Sequence, residues 1–173
     1  HELEATVQAL SCHPCVGCWV PFNEGWGQFD AAGAVQAVRA LDDTRPVDEA
    51  SGWYDQGGGD GYSIHNYFYP LHVKPKSRTV ALSEYGGIAW PMPGHEASGK
   101  TYGYGTAKSK EELTVRYKKL QLGTVLPQLK EGLSALVYTQ LTDVEDEVNG
   151  LFTYDRTEIK PDANAVRSVN AAL

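Results

Sequence analysis

Apolar positions follow two rhythms along this chain, a spacing of three and four residues and short unbroken runs. The first predicts helices and the second predicts buried strands. Leu3, Val7 and Leu10 share one helical face over Glu2–Leu10, and Ser11–Pro14 stops it. Val16–Phe22 reads as a strand. Asp30 caps a helix whose face is Ala31, Ala34, Val35, Val38 and Leu41, ending before Arg45-Pro46. Short strands are predicted at Val47–Ala50 and Tyr62–His65. Thr79–Ser83 is the continuous run of a strand buried on both faces. Ser109-Lys110-Glu111-Glu112 is a capping box that opens a helix through Leu113, Tyr117 and Leu120. Leu133–Tyr138 predicts another strand, and Pro161–Leu173 a closing helix with proline at its first position.

This alternation predicts an α/β protein with parallel strands. Two connections break the rhythm. Gly52–Gly61, with Gly57-Gly58-Gly59, and Phe68–Arg78, with Pro70 and Pro75, are too interrupted for full crossover helices. The stretch from Ile88 to Lys108 is a long loop of the kind that often carries function.

Composition narrows the classes. At 173 residues, 42% hydrophobic and 21% charged, the chain suits one soluble domain with a real core. A net charge of −7 and a pI near 5.2 argue against nucleic acid or an anionic membrane as partner. No apolar run reaches a membrane span. The chain opens with His1 and goes straight into helical sequence, so it reads as a piece of a longer protein and its compartment stays open. Cys12, Cys15 and Cys18 have the spacing of a metal or cluster site, but a closed site wants a fourth ligand. Only His13 stands near, so the core is the better place for Cys18 and no metal is expected.

The chemistry lies in two acids. Val16–Phe22 runs into Asn23-Glu24, and Thr79–Ser83 runs into Glu84-Tyr85-Gly86. A carboxylate just past an apolar strand sits where a parallel sheet opens its cleft. Two of them supply what glycoside hydrolysis needs, a proton for the leaving oxygen and a group to meet the anomeric carbon. Spacing alone does not order the two.

Cys12-His13-Pro14-Cys15-Val16-Gly17-Cys18-Trp19 followed by Asn23-Glu24 resembles a signature of glycoside hydrolase family 2, which includes β-galactosidases, β-glucuronidases and β-mannosidases. Ser83-Glu84-Tyr85-Gly86 is similar to its nucleophile segment. Asn23-Glu24-Gly25-Trp26-Gly27-Gln28 and Thr139–Leu151 resemble a β-galactosidase-like subgroup. The match runs in order along nearly the whole chain. It departs at Cys15, where serine is usual, and at Gly17-Cys18, where larger apolar residues are common.

The resemblance implies a partial (β/α)8 TIM barrel, strands 4 to 8 with degenerate helices 5 and 6. Residues 1–173 would then be the C-terminal portion of a glycosidase catalytic domain. It implies a retaining, exo-acting β-glycoside hydrolase, with Glu24 as acid/base and Glu84 as nucleophile. Asn23 would engage the sugar 2-hydroxyl and Tyr67 would hydrogen-bond the nucleophile. Tyr67 reads equally as a core aromatic. His65 reads as a cleft residue or a satisfied histidine, and Trp26 and Trp90 as stacking faces past strand ends. Tyr138 stands where relatives carry a tryptophan platform. No cofactor is expected. Asp143, Glu145, Asp146 and Glu147 form an acidic loop that reads as solvated ahead of a divalent-cation site. The expected partners are a carbohydrate and either the missing N-terminal half of a barrel or a second copy. The alternative is an incomplete fragment with weak or no sugar binding.

Overall fold

A computed structural model describes every residue except 69, 75 and 76. Pro75, one of the two prolines expected to interrupt the second connection, lies outside the described residues. The chain divides into two compact units. The first holds His1–His65 and the segment ending at Ser83; the second holds Asn66–Lys74 and Glu84–Leu173.

The first unit opens with α1 (Glu2–Leu10), β1 (Phe22–Asn23), α2 (Ala31–Leu41) and β2 (Ala50–Ser51). Asp30 caps α2 by accepting from the Gly33 amide at 3.2 Å. Val7 of α1 and Val35 and Val38 of α2 enclose Trp19 and Val47 in one apolar cluster. Buried Asp42, 6% exposed, ties this cluster together. It accepts from Trp19 Nε1 at 2.9 Å, from Thr44 Oγ1 at 2.5 Å and from Arg45 Nη1 at 2.6 Å.

β1 and β2 pair in parallel, Phe22 with Ala50 and Asn23 with Ser51. The strands expected over Val16–Phe22 and Val47–Ala50 shrink to these residues and one bridge, Trp19 with Val47. Pro21 has no amide hydrogen, so the ladder between bridge and strand is interrupted. The cysteines are corrected too: Cys12, Cys15 and Cys18 are exposed free thiols. Side chains alternate along an extended segment, and Trp19, not Cys18, takes the inward place.

The connection after β2 contains no helix, as expected, and it has an anchor. Glu49, 1% exposed, accepts the amides of Gln56 and, at 2.9 Å, Gly58, which wraps the glycine-rich segment around a buried carboxylate. Next come β3 (Gly61–Asn66) and β4 (Thr79–Gly86), the latter running from the first unit into the second.

The second unit continues with α3 (Lys110–Leu120), a π-helical turn (Gln121–Val125), α4 (Leu126–Leu129), β5 (Leu133–Thr139) and α5 (Ala163–Asn170). Ser109 caps α3 by accepting from the Glu112 amide at 3.2 Å. The helix runs on past Leu120 through the π turn, just before Pro127, which cannot donate to a regular ladder. Leu113 and Leu120 pack with Ile88, Trp90 and Ala107. The closing helix starts at Ala163 and not at Pro161, because Asp162 caps it by accepting from the Ala165 amide at 2.7 Å.

The expected partial barrel is not what forms. Among the described residues the strands make two small parallel sheets, one of β1-β2 and one ordered β3-β4-β5, and no barrel closes. Two-residue strands carry too few ladder bonds to bind those sheets into one wall. Among the described residues, no helix is long and apolar enough to cross a membrane.

Candidate functional site

Glu24 leaves β1 on a sharply turned backbone. Its φ of 52° and the 71° of Gly25 both lie in the left-handed region. For a residue with a Cβ this costs about 1–3 kcal/mol, so neighbours must hold it. The Glu24 amide donates to Ser51 O at 2.8 Å, and the turn closes through Trp26 N to Asn23 O at 2.9 Å and Gln28 N to Gly25 O at 3.2 Å. The Tyr54 ring lies flush against Gly25, where a Cβ would collide with it. Gln28 Nε2 donates to Tyr54 O at 3.1 Å, which fastens the loop after β2 to this turn.

His65, near the end of β3, meets the carboxylate. Its Nδ1 lies 2.7 Å from Glu24 Oε1, with the imidazole 2% exposed and the carboxylate 21%. On the other edge Nε2 lies 2.9 Å from Ser51 Oγ, and Ser51 Oγ donates to Ser83 Oγ at 2.8 Å. Gly52, at φ 87°, lets the backbone touch the imidazole ring, where a side chain would clash. Sequence reading left two roles open for His65, and the structure makes it the partner of Glu24.

Glu84 lies within β4, in the second unit. Tyr67 Oη donates to Glu84 Oε2 at 2.7 Å. The Tyr67 ring stacks on Tyr104, centroids 4.1 Å apart and planes 20° from parallel. Gly87, at φ 62°, brings its backbone against both rings. Burial pushes the Tyr67 phenol well above its ordinary value, and the negative charge of Glu84 adds to the shift. Tyr67 therefore stays a donor across any accessible pH.

The other expected positions divide. Asn23 is exposed and stands opposite Ser51 in the register of β1 and β2. Trp26 is 74% exposed. Trp90 is half-buried against Ile88 and Leu113, with its amide bonded to Val148 O at 2.9 Å. Tyr138 sits edge-on to Tyr85 and Tyr117, at centroid distances of 5.5 Å and 5.2 Å. Its hydroxyl is buried without a partner among the described residues.

The acidic loop is not simply solvated. Asp143 is 4% exposed and Lys160 fully buried, their Nζ–Oδ1 distance 2.8 Å, with Lys160 also donating to Val148 O at 2.9 Å. Glu147 accepts from Gln140 Nε2 at 2.9 Å. Ser51 and Lys160 carried no signal in the sequence, since their partners lie 14 to 32 residues away.

No protein-family model and no curated sequence matches the chain. Solved structures do. An exo-β-agarase matches with a TM-score of 0.60 at 16% identity, over 82% of this chain and 21% of that one. A β-galacturonidase of glycoside hydrolase family 2 from Eisenbergiella tayi, bound to galacturonate, matches at 0.59 and 14% identity, over 98% of this chain and 35% of that one. A β-glucuronidase from an uncultured Clostridium species matches at 0.60 and 15% identity, over 99% and 35%. The fold is thus like one found in glycoside hydrolases. The chain spans between 21% and 35% of the length of these proteins.

Proposed function

We propose that this chain carries the two working carboxylates of a retaining, exo-acting β-glycoside hydrolase, β-galactosidase-like in substrate. Glu24 acts as acid/base and Glu84 as nucleophile. The observation that carries the assignment is the difference between their partners. Tyr67 donates its hydroxyl hydrogen to Glu84, and a donated hydrogen bond favours negative charge there, the state a nucleophile needs. His65 both gives and takes a proton, so it suits a carboxyl that must change protonation state twice in each turnover.

In the first step the Glu24 O–H bond breaks and its proton goes to the glycosidic oxygen. The anomeric carbon–oxygen bond breaks with its electron pair on that oxygen, and Glu84 forms the new bond to carbon. In the second, Glu24 takes a proton from water, whose oxygen displaces Glu84. Asn23 and Trp26, exposed beside Glu24, are the proposed contacts to the sugar hydroxyls and ring face, and Trp90 a further wall. The neighbours extend well beyond the length of this chain, which supports reading further polypeptide or a second copy as the rest of the binding site.

The test is a trap. A 2-deoxy-2-fluoro-β-galactoside with a dinitrophenolate leaving group should add one fluorosugar to the protein carrying this chain, and peptide mapping should place it on Glu84. An adduct on another residue overturns the assignment. A second reading is a chain that binds sugar without turnover. Saturable galactoside binding with neither adduct nor nitrophenolate release would establish that one.

A further inference from the structure

Behind the His65–Glu24 contact lies a pair of hydroxyls, one buried and one half-buried, that the mechanism above does not use. Ser51 is 6% exposed. Its hydroxyl stands 2.9 Å from His65 Nε2 and donates to Ser83 Oγ at 2.8 Å, and Ser83 in turn points its hydrogen at Ile64 O, 3.5 Å away. Its backbone carbonyl also receives the Glu24 amide at 2.8 Å. One residue of β2 thus touches both the proposed acid and the imidazole that serves it.

The hydrogens can be counted along this row. A hydroxyl has one hydrogen, and Ser51 spends its own on Ser83. What Ser51 offers Nε2 is therefore a lone pair, which requires a hydrogen on Nε2. The 2.7 Å contact between Nδ1 and Glu24 Oε1 then cannot be two bare lone pairs. One proton lies on that edge, on oxygen or on nitrogen. The order hydroxyl–imidazole–carboxylate matches the one that activates a serine nucleophile. Here the serine is buried and its hydrogen is directed away from the imidazole, so it serves the carboxylate instead.

We propose that Ser51, backed by Ser83, is a positioning residue for proton delivery. By accepting from His65 Nε2 it keeps one proton on the Nδ1–Glu24 edge, ready for a leaving group. This rests on Glu24 being the acid. When that proton goes to the glycosidic oxygen, the carbon–oxygen bond breaks onto that oxygen and Glu84 takes the carbon. Nothing is gained or lost along the serine row.

Leaving groups separate this role from simple packing. Dinitrophenolate departs without a proton, whereas phenolate needs one. The protein carrying this chain would be assayed on phenyl and 2,4-dinitrophenyl β-galactosides. Ser51→Ala should lower kcat/KM on the phenyl substrate by about 10- to 100-fold, the low end of what acid catalysis supplies. The dinitrophenyl substrate should stay within about 3-fold, and Ser51→Thr, which keeps a hydroxyl, should restore the phenyl rate. Ser83→Ala should show the same leaving-group bias more weakly, which keeps a test in hand should Ser51→Ala fail to fold. Equal loss on both substrates, or none on either, overturns the proposal.

A second measurement stands apart from turnover. With 15N-labelled histidine, Nε2 of His65 should carry hydrogen in the unsubstituted protein and in Ser51→Thr, and lose it in Ser51→Ala. A bare Nε2 in the unsubstituted protein refutes the row even if hydrolysis is brisk. Absent hydrolysis with a protonated Nε2 that Ser51→Ala abolishes upholds the row and removes the glycosidase reading alone.

Discussion

The surroundings of Glu24 and of Glu84 differ in kind. Glu24 stands on a left-handed turn against a buried imidazole that is itself held by a serine. Glu84 stands within a strand against a phenol that burial locks in its protonated form, with that phenol stacked on Tyr104. The phenol gives Glu84 a hydrogen bond, whereas an imidazole can exchange a proton with Glu24. The partners, more than the acids themselves, divide the labour.

Removing either acid tests that division most directly. Glu84→Ala should cut kcat/KM by about 10⁵-fold or more on every aryl β-galactoside, because no leaving group substitutes for a missing nucleophile. Glu24→Ala should cost about 10²- to 10⁴-fold on phenyl substrates and far less on dinitrophenyl ones. Equal losses from the two variants across the substrate series would erase the distinction. Tyr67→Phe removes the donor from Glu84 and should lower kcat by about 10²-fold whatever the leaving group, read from steady-state rates.

The smallest effect comes from the frame beneath β1. Hydrogen bonds from Thr44, then Trp19, with Arg45 beside them, hold the Asp42 carboxyl well below the usual carboxylate range. A carboxyl lowered in the folded state adds stability that is present above its unfolded value, about 4, and is lost as pH falls toward the folded value. Asp42→Asn should therefore lower Tm at pH 7, and the deficit should narrow near pH 2 to 3 in a thermal melt. A deficit that stays constant with pH would mean that Asp42 acts by packing alone.

What could be read from sequence depended on how local each signal was. The bounds of α2 and α3 follow from Asp30 and Ser109, whose caps reach three residues ahead. β4 and β5 announced themselves as apolar runs. Two local breaks and the distant pairing of the strands escaped that reading. Pro21 thinned the first strand, Asp162 displaced Pro161 from the start of α5, and the barrel expected from resemblance gave way to two small sheets. Glu24 and Glu84, the acids proposed to work, follow their apolar runs in the sequence. Ser51 gave no such signal, because a hydroxyl bonded to residues 14 and 32 positions away leaves no local pattern. Lys160 was hidden for the same reason, its carboxylate lying 17 positions back.

Gly25 and Gly27 sit two residues apart in one turn, both left-handed, yet they face different constraints. The Tyr54 ring leaves Gly25 no volume for even a methyl, whereas nothing lies within 4 Å of where a Cβ at Gly27 would stand. A library randomised at both codons and screened for turnover should return glycine at the first almost without exception. At the second it should also admit asparagine and aspartate, which tolerate that backbone.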